Sequence, residues 1–129
     1  AESPKESELR YYWLESGLPP PIVNAWIYDL RGLCMGRVDL LEPVSGYAGE
    51  FNGHWHEMWD RPSLDASRNT GLRSLNLTLD EFTKFDLGGM GQCLLEGRML
   101  SGYAKACRRD PRHDAWFCPQ AEGWAAQTA

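Results

Sequence analysis

The opening of the chain carries a helical pattern of apolar and polar positions. Leu9, Tyr12, Trp13 and Ser16 fall at the three- and four-residue spacing of one helical face. Ser3, Pro4 and Glu6 supply an N-cap, a first-turn proline and a capping-box acid ahead of it. Gly17 and the run Leu18-Pro19-Pro20-Pro21 cannot continue the helix, so the pattern predicts a first helix over about 4–16. The pattern then changes to strands. Ile22 to Tyr28 is rich in β-branched and aromatic residues. Asp29-Leu30-Arg31-Gly32 reads as a turn. Leu33 to Leu41 returns as a second strand, Glu42-Pro43-Val44-Ser45-Gly46 turns again, and Tyr47 to Asn52 forms a third.

After Arg61 the periodicity becomes helical once more. Pro62-Ser63 opens a helix to about Asn69, and Gly71 ends it. Leu72 to Thr78 reads as a fourth strand, reached through this helical crossover, which permits parallel pairing with the third. Asp80 is expected to cap a short turn through Phe82. A longer helix is expected from Met90 to Arg108, with Cys93, Leu94, Gly97, Leu100, Ala104 and Cys107 on one face. Gly97 and Gly102 weaken such a helix by roughly 1 kcal/mol each, and close helix packing is a reason to keep them. Trp116 and Trp124 are expected to dock the tail loosely. Helix, β-meander, helix, strand, helix is an α/β arrangement: a mixed sheet of about four strands flanked by helices. One domain over 1–129 is expected, with a core over about 4–83 and a C-terminal helix and tail over 88–129.

Composition narrows the class. The 129 residues support one core, and 43% hydrophobic with 24% charged residues is ordinary for a soluble globular chain. No apolar run of about 18 residues occurs, and no basic start precedes an apolar stretch, so neither a membrane span nor a signal peptide is expected. The abrupt opening Ala1-Glu2-Ser3-Pro4 suggests a piece of a longer protein. Cysteines at 34, 93, 107 and 118 form no Cys-x-x-Cys pair, which argues against a zinc knuckle and for reduced, mostly buried thiols in the cytoplasm. The net charge of −5 argues against a freestanding high-affinity nucleic-acid binder. Yet Arg98, Lys105, Arg108, Arg109 and Arg112 stand against Asp110 alone between positions 98 and 112. They are either a solvated helix end or phosphate contacts.

The second and third strands bring two acids close. Asp39, flanked by Val38 and Leu40, is expected to point opposite to both. Glu50 lies eleven residues on, with Ala48 and Asn52 on its face. In a hairpin the two carboxylates are directly opposed or one step diagonal, and either arrangement lets them share a divalent ion. Without a metal, such like charges raise one pKa. A solvent-facing strand acid is the alternative for Asp39. Glu6 shares a helical stripe with Leu9, Arg10 and Trp13, so it either faces the sheet or serves the capping box. His54 and His56 flank Trp55; they are polar loop residues, or a metal ligand or proton shuttle, or with Glu50 or Glu57 a zinc site. Asp65 and Arg68, one turn apart, form a surface ion pair, or Arg68 reaches the hairpin acids or a phosphate.

These motifs resemble, in order, the restriction-endonuclease-like (PD-(D/E)xK) domains related to very-short-patch-repair (Vsr) endonucleases, found in actinobacterial AbiEi-type antitoxin-like proteins. The resemblance rests on Glu6-Ser7-Glu8-Leu9-Arg10, Gly36-Arg37-Val38-Asp39-Leu40, Glu50-Phe51-Asn52-Gly53-His54-Trp55-His56, Asp65-Ala66-Ser67-Arg68 and Gly71-Leu72-Arg73-Ser74-Leu75-Asn76-Leu77-Thr78. It covers about residues 4–83, and Tyr103 to Pro111 also fits. It implies a restriction-endonuclease-like core and a magnesium ion at Asp39 and Glu50. Glu6 would support that site, His56 would lie nearby as proton shuttle, and DNA would be the substrate. Two positions depart from the pattern. Asn52 stands where the family carries an acid or lysine, and Asn76 where it carries arginine on the last strand. Asn52 can offer a carbonyl oxygen to a metal but brings no charge and cannot act as a base. The resemblance therefore implies either a metal-dependent DNA endonuclease or a degenerate domain serving regulation or interaction in a toxin–antitoxin or defence protein.

Overall fold

Leu9 and Trp13, one turn apart on the first helix, are fully buried, and the indole of Trp13 stacks on Tyr47 with ring centroids 5.0 Å apart. That pair of anchors fixes the first helix against a sheet. The computed structural model describes residues 4–52, 61–88 and 91–122, with the backbone alone for 61–66. Four α-helices are described: α1 (Pro4–Glu15), α2 (Arg61–Arg73), α3 (Lys84–Gly88) and α4 (Gln92–Cys107). They flank strands β1 (Ile22–Asp29), β2 (Cys34–Glu42), β3 (Tyr47–Phe51), β4 (Thr78–Phe82) and β5 (Trp116–Phe117).

The sheet is mixed, in the order β4-β3-β2-β1-β5. The β1–β2–β3 meander and the β1–β5 pair are antiparallel, while β3 and β4 run parallel across the α2 crossover. The α/β class and the parallel crossover agree with the sequence pattern; the sheet has five strands rather than four. Two apolar layers form on its faces. Leu72 and Leu75 of the α2 region pack with Ala25, Ile27, Val38, Leu41, Ala48 and Leu79. Leu9, Trp13, Leu95 and Met99 of α1 and α4 pack with Leu40, Tyr47 and Phe82.

Several expected elements move. The fourth strand lies at Thr78–Phe82, not Leu72–Thr78, because α2 runs through Gly71 to Arg73. Asn76 therefore sits in the turn between them, at φ 77°, rather than on a strand. Its amide donates to the Asp110 carbonyl (3.0 Å) and to Asp114 (2.8 Å), tying the turn to the segment after α4. Asp80 lies in β4 and caps nothing. The buried stripe of α4 is Leu95, Met99, Gly102 and Ala106; the face expected to be buried points outward, with Leu94 58% and Leu100 47% exposed. The tail docks by strand pairing, Trp116 opposite Asp29, rather than loosely. Trp124 and Met90 lie outside the described residues. Three cysteines (34, 93 and 107) are exposed and only Cys118 is buried, contrary to the expected mostly buried set. Among the described residues no helix is long and apolar enough to cross a membrane.

Candidate functional site

Strand alternation breaks where the site forms. In β1, Ile22, Ala25 and Ile27 pack on the α2 side, but Val23 packs on the α1–α4 side. In β2, Val38 and Leu41 take the α2 side and Leu40 the other. Both strands thus change phase within one step, at Asn24 and Asp39. Their ladder pairs Val23 with Leu40 and Ala25 with Val38 and skips the residues between. Asn24 has φ 54°, the left-handed conformation that asparagine tolerates better than most side chains. Asp39 therefore does not simply oppose Val38 and Leu40, as regular alternation predicts.

Asp39 is 7% exposed. The β2–β3 ladder ends at Leu40 opposite Gly49, and Asp39 and Glu50 are the next residue on each strand beyond it. There the carboxylate takes over from the backbone: the Phe51 N–H donates to Asp39 Oδ2 at 2.8 Å. Burial pushes the Asp39 carboxyl up to about 6. The Phe51 N–H opposes that rise, while the charges of Glu6 and Glu50 and a hydrogen bond with Glu6 reinforce it. Glu6 reaches the sheet because it shares the docked stripe of Leu9 and Trp13 on α1. A Cβ on Gly49 would come within 3.2 Å of the Trp13 ring, so a small residue there lets α1 lie close. Of its two expected roles, the one toward the hairpin acids is seen in its hydrogen bond with Asp39; the capping role involves Ser3, which lies outside the described residues.

Glu50 meets a cation from the crossover helix. Arg68 Nη1 lies 3.0 Å from Glu50 Oε2 and donates to Asn69 Oδ1 at 2.7 Å, and Nη2 donates to the Arg37 carbonyl. Gly36, at φ +136°, makes room: a Cβ there would lie 2.8 Å from Arg68 Nε. Arg68 thus takes the reading in which it reaches the hairpin acids. The side chain of Asp65 is outside the described set, as are His54, His56 and Glu57, so the histidine-based expectations lie there too. On the far side of Glu50, the parallel ladder sets Glu81 beside it. Asn52 Nδ2 lies 3.5 Å from Glu81 Oε1, and the Asn52 N–H donates to the Phe82 carbonyl at 2.7 Å.

The sequence pattern missed Asn24 and Glu81. Glu81 was hidden by the misplaced fourth strand. Asn24 carried a signal, an asparagine inside a β-branched and aromatic run. Its Oδ1 is buried with no hydrogen-bond partner among the described residues. Carboxylate oxygens that repel one another suit a hard divalent cation in kind. Their placement suits it less. Among the described residues no group of three or more His, Cys, Asp or Glu is spaced to hold a metal ion, and Glu50 is engaged by Arg68. Glu6 and Glu50 are close enough to raise the Asp39 carboxyl without forming a ready cage with it. No protein-family model, curated protein or solved structure matches the chain.

Proposed function

We propose that the chain is a Vsr-like endonuclease-fold domain whose acid cluster hydrolyses a DNA phosphodiester. The observation that supports this reading best is that Glu6 of α1 and Glu50 of β3, both half-buried, act on the buried Asp39 of β2 beside a parallel β3–β4 pair. A buried carboxylate beside like charges costs stability, and one kept at that cost suits a site that handles charge. Asp39 and Glu50 would hold a magnesium ion, with Glu6 beside them. Such an ion supplies Lewis-acid activation of water and neutralises charge on the phosphate. The protein's own part is proton handling and orientation. With a carboxyl near 6, the hydrogen-bonded Glu6–Asp39 pair takes up and releases a proton close to neutral pH. The Phe51 N–H holds Asp39 in place, and Arg68 orients Glu50. Incubation with plasmid DNA and magnesium or manganese tests the reading. Nicking by the native chain and none by Asp39→Ala is the expected result; equal nicking by both rules the mechanism out.

A second reading has its own support. Arg68 already neutralises Glu50, and Asn52 stands where an acid or lysine would do chemistry. On this reading the fold is kept without catalysis, as an interaction or regulatory domain of a toxin–antitoxin or defence protein. Calorimetry with magnesium and manganese separates the two. Binding at tens of micromolar or tighter favours the nuclease, and no heat at millimolar metal favours the interaction domain.

A further inference from the structure

A second site lies at the other end of the same strands. β3 and β4 start at the Tyr47–Thr78 pair and reach Glu50 and Glu81 three residues later, about 10 Å along the sheet. At the starting end, Arg73, Asn76, Leu77, Thr78 and Leu79 face Lys105, Arg108 and Arg109 across a groove of about 460 Å³. That volume falls in the range of small-ligand pockets. The groove gathers four cations with a single acid, Asp80, in a chain whose net charge is −5.

The four cations divide into two kinds. Arg73 and Arg109 are pinned. Arg73 donates to the Leu79 carbonyl (2.8 Å) and lies 3.5 Å from Glu81; Arg109 is held by Asp114 at 2.6 Å and by the carbonyls of Val44 and Ser45. They form a wall whose charge is already answered by carboxylates. Lys105 and Arg108 carry no side-chain hydrogen bond or ion pair among the described residues. The acid of the lining, Asp80, already accepts from the Tyr47 hydroxyl at 2.7 Å. Two uncommitted cations three residues apart, beside the pinned Arg73 and Arg109 and with Thr78 in the same lining, make a phosphate clamp. Their position at the C-terminal end of α4, Lys105 in its last turn and Arg108 as its C-cap, also suits the helix dipole.

We infer that this groove binds a phosphate-bearing small ligand of about mononucleotide size, with its phosphate between Lys105 and Arg108. The site does not rest on the nuclease reading and can stand if that reading falls.

The full chain, labelled with nitrogen-15, is titrated at fixed ionic strength with pyrophosphate, with adenosine monophosphate, with sodium sulfate, and with a single-stranded oligonucleotide. Saturable amide shifts centred on residues 105–109 are expected with pyrophosphate or the mononucleotide, at a sub-millimolar Kd. The Lys105→Ala/Arg108→Ala double variant is expected to weaken that binding at least about tenfold. Arg112→Ala, which removes a cation paired with Asp110 outside the groove, is expected to leave it unchanged. The proposal is overturned by any of four results: no saturable shifts from either small phosphate, an equal response to sulfate, binding of the oligonucleotide alone, or equal affinity in the double variant. Both altered residues are exposed, so the double variant is expected to keep the native spectrum elsewhere.

Discussion

Arg68 lies 3.0 Å from Glu50, and the same guanidinium reaches the Arg37 carbonyl on the neighbouring strand. One side chain from α2 therefore ties β2 to β3 at the point where their ladder has ended and the acids gather. Removing it takes the Arg68 charge away from Glu50, whose side chain is 17% exposed and lies near Asp39. Arg68→Ala is expected to cost about 1–3 kcal/mol at neutral pH, measured by urea unfolding. Arg68→Lys is expected to recover little of it, since an ammonium cannot span the carboxylate, Asn69 and the Arg37 carbonyl as a planar fork does. If Arg68 competes with a metal for Glu50, Arg68→Ala also tightens manganese binding by calorimetry. Unchanged or absent binding in the variant would favour the non-catalytic reading.

Gly36 tests the same geometry from the other side. Its φ of +136° is strained for any residue with a Cβ, and that Cβ would meet Arg68 Nε at 2.8 Å. Gly36→Ala is expected to destabilise the fold by about 1–3 kcal/mol. In an Arg68→Ala background part of that cost disappears, because only the backbone strain remains. A double-mutant cycle reads the difference directly, and strict additivity would show that Arg68 does not occupy this place in solution.

Asp39 gives a pH prediction with a definite sign. Its carboxyl holds a proton more tightly in the fold, near 6, than its ordinary value of 3.8. The folded state then binds more protons than the unfolded one between those values, so stability falls as pH rises through that window. Asp39's contribution is fully present below about 4 and gone above about 6, a swing on the order of 3 kcal/mol. Asp39→Asn keeps an oxygen acceptor for the Phe51 N–H and removes the charge. It is expected to be more stable than the native chain at pH 7.5 by roughly 1–3 kcal/mol, with the advantage gone at pH 4. Denaturant titrations at the two pH values check this. A variant destabilised equally at both would place Asp39 in an ordinary structural role.

Much of this arrangement was written in local pattern. The α1 stripe of Leu9 and Trp13, the two turns of the meander and the crossover all follow from periodicity and turn chemistry. With them came Asp39 and Glu50 on neighbouring strands, close enough for Glu50 to act on Asp39. What failed was information that only tertiary packing carries. Gly71 reads as a stop, but the buried Leu72 gives α2 a reason to continue past it, and this displaced β4 by several residues and hid Glu81. The two faces of α4 are nearly equal in apolar content, so periodicity could not choose between Leu94–Leu100 and Leu95–Met99. The phase break at Asn24 is a two-strand event, invisible to alternation read one strand at a time.

The choice of face on α4 supplies the sharpest comparison. Gly97 and Gly102 sit in one helix, and both are weak helix formers by about 1 kcal/mol relative to alanine. Nothing lies within 4 Å of a Cβ built on Gly97. On Gly102 the same atom would lie 2.6 Å from Tyr47 Cε1 and 2.8 Å from its hydroxyl oxygen, and would also strike Asp80. Tyr47 cannot move aside cheaply. It is fully buried, stacked on Trp13, and donates to Asp80 at 2.7 Å. Gly97→Ala is therefore expected to stabilise the protein by up to about 1 kcal/mol, while Gly102→Ala destabilises it by about 2–4 kcal/mol. Thermal melts of the two variants, run side by side, should move in opposite directions. Because Asp80 also lines the basic groove, Gly102→Ala should in addition weaken phosphate binding there, whereas Gly97→Ala leaves it intact. A stabilising Gly102→Ala would mean that α4 presents its other face to the sheet, and the groove built on its last turn would then have different walls.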